Sequence, residues 1–182
     1  MNNFAYVSVS DGVGVCIVHK GEVLRGETHT AGELGHVSLD PGGPLCVCGR
    51  RGCWEAFACN SATIARFEKL SGTRSSVEEI VSRAKAGEPA AVETLVETGR
   101  QIGRGLANVA SAFNPKRIYV GGEVTAAWNL LEPAIRQALV EGTLTEVTAS
   151  TPVYADPNPA EYRLLGAVAL VAAPSFAAPR VG

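Results

Sequence analysis

Residues 31–59 hold a histidine and closely spaced cysteines in a stretch rich in glycine and proline. The histidine lies ten residues before the first cysteine, the cysteine spacing is C-x-C-x4-C, and the set is His36, Cys46, Cys48 and Cys53. Three thiolates and one imidazole are a common ligand set for a tetrahedral structural zinc ion. Glycines at 49 and 52 allow the tight turns that converging sulfurs need. The pattern therefore predicts a structural Zn²⁺ in a loop spanning 31–55.

Disulfides and buried free thiols are the alternatives for these cysteines. Five cysteines are an odd count, and we expect neither a signal peptide nor a transmembrane segment, so a disulfide framework is disfavoured. Free buried cysteines occur within apolar, periodic segments, which describes Cys16 and Cys59. Clustered cysteines in a cytosolic protein are more typical of metal binding.

Composition limits the function classes. The 182 residues are 46% hydrophobic and 19% charged, enough for a sizeable core. The net charge is −2 and no lysine- or arginine-rich run is present, which argues against the chain itself holding a nucleic-acid backbone. No lipidation or targeting motif is found, so we expect a cytoplasmic protein that does not associate with membranes.

Strand and helix patterns alternate along the chain, which predicts an α/β fold. Strands are expected at 4–10, 13–20, 22–27, 117–122 and 151–155. Helices are expected from 53 to 70 and at 75–87, 89–113, 126–141 and 160–173.

Several motifs occur together in a recognisable order. They are the GELGH step at 32–36, the CVCGRRGCWE cluster at 46–55 and a glycine pair after a strand at 121–122. In this order they resemble the ROK family of repressors, open reading frames and sugar kinases, over essentially the whole chain. The resemblance implies one lobe of a two-lobed, actin-like and ribonuclease-H-like fold, with a mixed sheet flanked by helices and the zinc loop inserted.

The resemblance also shows what the chain lacks. ROK kinases carry a DxGxT phosphate loop and a catalytic aspartate after an asparagine. The aspartates here are only Asp11, Asp40 and Asp156, and none lies in either motif. We therefore interpret residues 1–182 as the carboxy-terminal lobe alone, without the amino-terminal lobe or a helix-turn-helix, and expect no catalytic residue and no phosphoryl transfer by this chain alone.

A second phosphate-contacting turn usually reads close to GTGIG in these kinases. The aligned residues here are Ser10-Asp11-Gly12-Val13-Gly14, so an aspartate replaces the threonine. A carboxylate directed at a triphosphate would repel it, although Asp11 could instead turn away and stabilise a hairpin. By resemblance the nucleotide-binding candidates are Gly12, Gly14, Gly121 and Gly122. The alternative for the last two is a tight strand-to-helix turn.

The resemblance implies sugar contacts at Glu33, His36 and Glu55. Carboxylates accept hydrogen bonds from neighbouring hydroxyls, and a zinc-bound histidine can donate from its other ring nitrogen. Alternatively, Glu33 could be a solvated carboxylate or a helix-capping group, and Glu55 could simply favour a helix start. Trp54 either packs under the loop or stacks on a sugar face.

Together these features favour the sugar-sensing lobe of a ROK-type transcriptional regulator. It would bind a sugar or sugar phosphate, form a homodimer, and reach DNA only through a missing amino-terminal domain. The alternative is the same lobe of a glucokinase- or fructokinase-like enzyme that uses ATP and Mg²⁺. A third possibility is a stand-alone binding or dimerisation module.

Overall fold

The structure is a computed structural model and describes residues 2–158. Its strands are β1 (Phe4–Val9), β2 (Val13–His19), β3 (Glu22–Val23), β4 (Ile118–Gly121) and β5 (Val153–Ala155). Its α-helices are α1 (Trp54–Ala58), α2 (Asn60–Ser71), α3 (Val77–Lys85), α4 (Pro89–Phe113), α5 (Trp128–Gly142) and α6 (Glu146–Ala149). Two 3₁₀ helices lie at Glu33–His36 and Glu123–Ala127. The helix predicted at 160–173 lies outside the described residues.

The five strands form one mixed sheet in the order β3-β2-β1-β4-β5. The β1–β2 and β2–β3 pairs are antiparallel, whereas β1–β4 and β4–β5 are parallel. Alternate residues of β1 point into the core, and Val7 pairs with Val15 on one side and Val120 on the other. Because β1, β4 and β5 run parallel, the segments that follow them meet at one edge of the sheet, where α/β proteins commonly bind ligands.

Most sequence predictions of secondary structure agree with the structure, with two exceptions. The strand expected at 22–27 is only two residues long. The single helix expected from 53 to 70 is wrong, since the chain bends at Cys59, whose ψ is 170°. At this bend the backbone amide of Asn60 donates to the carbonyl of Ser10 at 2.7 Å. In a continuous helix the same amide would donate to a carbonyl one turn earlier in the helix.

Helix α4 forms the centre of the helical layer because its glycines let neighbouring backbones approach. A Cβ at Gly103 would lie 2.5 Å from the carbonyl oxygen of Ile135 in α5, so only glycine fits there without a shift. One turn earlier, Gly99 faces the carbonyl of Leu131 in the same way. Spacing of four residues places both glycines on one face of α4, and this face packs on α5.

Another glycine of α4, Gly105, receives the indole of Trp54. The indole is buried and donates from Nε1 to the carbonyl of Gln101 at 3.0 Å. A Cβ at Gly105 would lie 1.8 Å from the indole. Trp54 follows directly after Cys53, so this contact fixes the end of the cysteine-rich loop on the core.

We expect Gly105→Ala to lower the free energy of unfolding by about 1–3 kcal/mol, the usual cost of overpacking a rigid core. Alanine is otherwise favoured over glycine inside a helix by about 1 kcal/mol, so loss of stability would identify the indole as the cause. Chemical denaturation monitored by tryptophan fluorescence measures the change.

Gly14→Ala is the matched control, because a Cβ at Gly14 meets nothing within 4 Å. Its free energy of unfolding should stay within about 0.5 kcal/mol of the parent value. A Gly105→Ala chain as stable as the parent would show that the indole is not held as described.

Candidate functional site

The GELGH segment lies directly on strand β2. A Cβ at Gly35 would be 2.2 Å from the carbonyl oxygen of Val13, and one at Gly32 would be 2.4 Å from that of Val15. Gly32 also has a backbone φ of 104°, which residues other than glycine rarely adopt. The two glycines let the 3₁₀ helix press flat against the strand, and this contact fixes the backbone position of half-buried His36.

The first two cysteines lie in a tight turn. The amide of Cys46 donates to the carbonyl of Arg50 at 2.8 Å, and the amide of Gly49 donates to Cys46 at 2.9 Å. Gly49 has φ of +86°, which the sharp reversal requires. A bridge between Leu45 and Arg51 closes the turn, so the Cys46 and Cys48 thiols are presented together.

The turn is joined to the GELGH segment by backbone pairing. Ser38 and Cys53 form an antiparallel bridge, and the amide of Leu39 donates to the carbonyl of Gly52 at 2.7 Å. The carbonyl of Leu39 in turn accepts from the guanidinium of Arg104 in α4 at 3.2 Å. This pairing brings the third cysteine beside the histidine although 17 positions separate them in the sequence.

The ligand atoms of His36, Cys46, Cys48 and Cys53 converge and all lie within 4.8 Å of one another. Nδ1 of His36 is 3.6 Å from Sγ of Cys46, and the sulfurs of Cys48 and Cys53 are also 3.6 Å apart. Tetrahedral coordination at about 2.0–2.3 Å from the metal places ligand atoms roughly 3.4–3.8 Å apart. The four residues that the sequence indicated therefore could bind a metal ion, and they are the only such group among residues 2–158.

The three thiols have different electrostatic surroundings. Hydrogen bonds from the backbone and the guanidinium of Arg50 lower the pKa of the Cys48 thiol to about 6. Burial raises the pKa of Cys46, and burial with a hydrogen bond to Cys48 raises the pKa of Cys53 to about 11. Metal binding would displace protons from Cys46 and Cys53, because a thiol coordinates as the thiolate.

Glu55 lies between this cluster and the turn that connects β1 to β2. Its Oε2 accepts a hydrogen bond from the amide of Val13 at 3.0 Å, and its Oε1 lies 3.7 Å from Sγ of Cys46. Glu55 also lines a cleft of about 250 Å³ together with Asp11 and Ser61. The carboxylate thus holds the turn as well as facing the cleft, a role that the sequence did not reveal because the Val13 contact is 42 residues away.

Glu33 is exposed and opens the 3₁₀ helix that His36 closes. Residues three apart lie on the same side of a 3₁₀ helix, so the carboxylate and the imidazole share one side of this segment. Neither residue lines the cleft beside Glu55. The His36 imidazole and the Glu55 carboxylate both contact the buried sulfur of Cys46, at 3.6 and 3.7 Å.

The four glycines proposed for nucleotide binding have different surroundings. A Cβ at Gly121 would lie 2.2 Å from the hydroxyl of Tyr6, and one at Gly122 would lie 1.7 Å from the carbonyl of Val9. Gly12 faces the Glu55 carboxylate, whereas nothing lies near Gly14. Internal packing alone can account for glycine at 121 and 122, as the tight-turn alternative expects, and nucleotide binding by the four glycines stays a prediction.

Polar bridges that sequence reasoning missed also lie at this sheet edge. Glu123 accepts from the hydroxyl of Ser10 at 3.0 Å and from Nδ2 of Asn60 at 3.1 Å. The hydroxyl of Tyr6 donates to buried Asp156 at 2.6 Å. These partners lie between 63 and 150 residues apart, so no local pattern could have indicated them.

A family model described as ROK family matches residues 1–173. The chain belongs to the ROK family. Among its curated relatives are the xylose repressor of Bacillus spizizenii, 30% identical over 74% of this chain and 35% of the repressor, and the N-acetylglucosamine repressor of Escherichia coli O157:H7, 32% identical over 81% of this chain and 38% of the repressor. A glucokinase of Streptomyces coelicolor is 33% identical over 75% of this chain and 48% of the enzyme.

Solved structures give the same mixture of functions. A ROK family glucokinase from Streptomyces griseus, in complex with glucose and AMPPNP, superposes with a TM-score of 0.84 at 27% identity, covering 93% of this chain and 60% of the enzyme. A ROK transcriptional regulator, a homologue of the E. coli MLC protein, gives 0.76 at 33% identity, covering 85% of this chain and 42% of the regulator. The mixed sheet with its helices fits the actin-like fold.

This ROK chain spans about a third to a half of the length of the curated relatives it matches. Both repressors and sugar kinases are among them, so family membership does not separate the two functions. Among the described residues, no helix is long and apolar enough to cross a membrane.

We expect Cys48→Ser to lose bound metal and thermal stability together. Removal of one ligand opens a four-ligand site, and in structural sites the energy of metal binding contributes to folding. Each kcal/mol lost from the free energy of unfolding should lower the melting temperature by about 2–4 °C in a chain of this size. Elemental mass spectrometry and a thermal melt on the same sample measure both quantities.

Cys16→Ser is the control, because Cys16 lies on β2, outside the ligand cluster. It should keep the metal content of the parent. Full metal occupancy with unchanged melting in Cys48→Ser would contradict a role for this cluster in metal binding.

Proposed function

We propose that this chain is the carboxy-terminal lobe of a ROK-type transcriptional regulator that senses a sugar or sugar phosphate. A structural zinc ion held by His36, Cys46, Cys48 and Cys53 would order the loop that reads the sugar. In the proposal the chain itself carries out no phosphoryl transfer. DNA binding, homodimer formation and a cytoplasmic location belong to the same proposal, with DNA contacted by an amino-terminal domain.

The orientation of His36 is the observation that carries the sugar proposal. Its Nδ1 faces the sulfur of Cys46 at 3.6 Å, so coordination through Nδ1 would leave Nε2 to donate to a sugar hydroxyl. A metal–imidazole bond fixes the tautomer and the ring orientation. With four protein ligands no coordination position stays open, so the metal would position the imidazole without binding the sugar.

The two carboxylates complete a set suited to hydroxyl groups. Glu33 is exposed on the same side of the 3₁₀ helix as His36, and Glu55 faces the cleft beside Cys46. Carboxylate oxygens accept hydrogen bonds from hydroxyls, whereas Nε2–H donates one.

The surroundings of the aspartates favour a regulator over a kinase. The carboxylate of Asp40 accepts from the amide of Gly42 at 2.9 Å and supports the metal loop. Asp156 is buried and bonded to Tyr6. Asp11 is exposed and lines the cleft beside Glu55. It occupies the turn position where ROK kinases have a threonine, and a carboxylate there would repel a triphosphate. The kinase alternative is supported by the sugar kinases among the relatives and solved structures, which include glucokinases and an N-acetylmannosamine kinase.

We expect Glu33→Gln to weaken sugar binding while metal content and fold stay unchanged. A hydrogen bond to a charged group contributes about 1.5–3 kcal/mol, so the dissociation constant should rise by about 10- to 150-fold. Titration calorimetry of the full-length protein with a panel of monosaccharides and their phosphates measures this change. The control is Glu27→Gln, which makes the same change at an exposed glutamate of the neighbouring loop. It should bind the sugar with the affinity of the parent.

A second measurement separates regulator from kinase. The full-length protein should change its affinity for operator DNA when the sugar is added, and it should form no sugar phosphate from ATP. Accumulation of ADP in step with sugar phosphate would instead support the kinase alternative. Equal sugar affinity in Glu33→Gln and the parent would remove Glu33 from the site.

A further inference from the structure

Glu123 connects three parts of the molecule that meet at the carboxyl ends of β1 and β4. Its side chain is half-buried, and its two oxygens accept from Ser10, at the end of β1, and from Asn60, at the start of α2. The amide of Asn60 also donates to the carbonyl of Ser10 at 2.7 Å. Glu123 itself follows Gly122, directly after β4.

These donors are of the kind that bind phosphate. A hydroxyl, an amide group and the positive end of a helix dipole all favour an anion, and α2 is a 12-residue helix without a side-chain cap at Cys59. Here the anion is supplied by the chain itself. The side-chain oxygen of Asn60, Oδ1, is buried and has no hydrogen-bond partner among the described residues. The side-chain amide is thus oriented towards Glu123 at the cost of one unmade hydrogen bond.

We propose that the Glu123 carboxylate is a resident anion that occupies the phosphate-binding donors of this crevice and so excludes nucleotide. Two further contacts act in the same direction. The hydroxyl of Tyr6 lies over Gly121, where a Cβ would meet it at 2.2 Å, and it is held there by Asp156. Glu55 accepts from the amide of Val13, which removes a backbone donor from the neighbouring turn.

This inference explains one part of the proposed function, the absence of phosphoryl transfer, and rests on that part alone. Sugar recognition is tested at Glu33, on the metal loop, whereas nucleotide exclusion is tested at Glu123, after β4. The proposal of sugar recognition and the proposal of nucleotide exclusion can therefore each be contradicted while the other stands.

The test is a titration of the full chain with Mg²⁺–AMPPNP, followed through the backbone amide resonances of Gly12, Gly14, Gly121 and Gly122. The parent should show no saturable shift at these glycines at ligand concentrations of about 1 mM, which corresponds to a binding free energy of about −4 kcal/mol. Glu123→Ala frees the donors of Ser10 and Asn60, and saturable shifts should appear with an affinity at least about tenfold higher than that of the parent. Inorganic phosphate should compete for the freed donors.

Glu146→Ala removes an exposed carboxylate from α6 and should behave as the parent does. If Glu123→Ala does not fold, Glu123→Ser, whose shorter uncharged side chain no longer reaches both donors, takes its place in the same titration. Saturable shifts at the four glycines in the parent chain would overturn the inference. Equal silence in the parent and in a folded Glu123 variant would also overturn it, since exclusion would then not depend on this carboxylate.

Discussion

The contact of the Trp54 indole with Gly105 is the constraint on which the ligand loop depends. The loop at 31–55 buries few apolar side chains of its own, and its hydrophobic residues Leu45 and Val47 are exposed. Burying one aromatic side chain against a position without a Cβ fixes the chain immediately after Cys53, and the Nε1–H bond to Gln101 sets the ring orientation. A loop that could not supply its own core is thus attached to the core of α4.

This attachment gives the ligand cluster a fixed end, and strand β2 gives it another. His36 is positioned by the contact of Gly32 and Gly35 with β2, while Cys53 is positioned from α4. A metal that joins His36 and Cys53 would therefore link the sheet to the helical layer. A backbone shift in β2 or in α4 would then change the positions of the four ligand atoms. Glu55, in the first turn of α1, extends this connection to the β1–β2 turn because its carboxylate accepts from the amide of Val13.

The sequence was sufficient for those features whose cause is local. The capping box of Ser76 and Glu79 marks the start of α3, the alternation in β1 marks a half-buried strand, and the cysteine spacing marks the ligand cluster. Bonds between distant residues could not be predicted, because nothing near Asn60 specifies that its partner is Glu123. The break at Cys59 belongs to the same class, since the competing acceptor is Ser10, on another strand.

The backbone and the side chains at this sheet edge have opposite effects on an anion. Its backbone supplies what phosphate chemistry needs, namely parallel strand ends, glycine turns and a helix start. The side chains decide whether those donors stay available. In this chain carboxylates accept several of them, with Glu123 on Ser10 and Asn60 and Glu55 on Val13. A carboxylate that accepts from the protein stabilises the turn, and in the proposed function the same charge repels a triphosphate. Stabilisation of the sheet edge and exclusion of nucleotide would then come from the same side chains, without any change of fold.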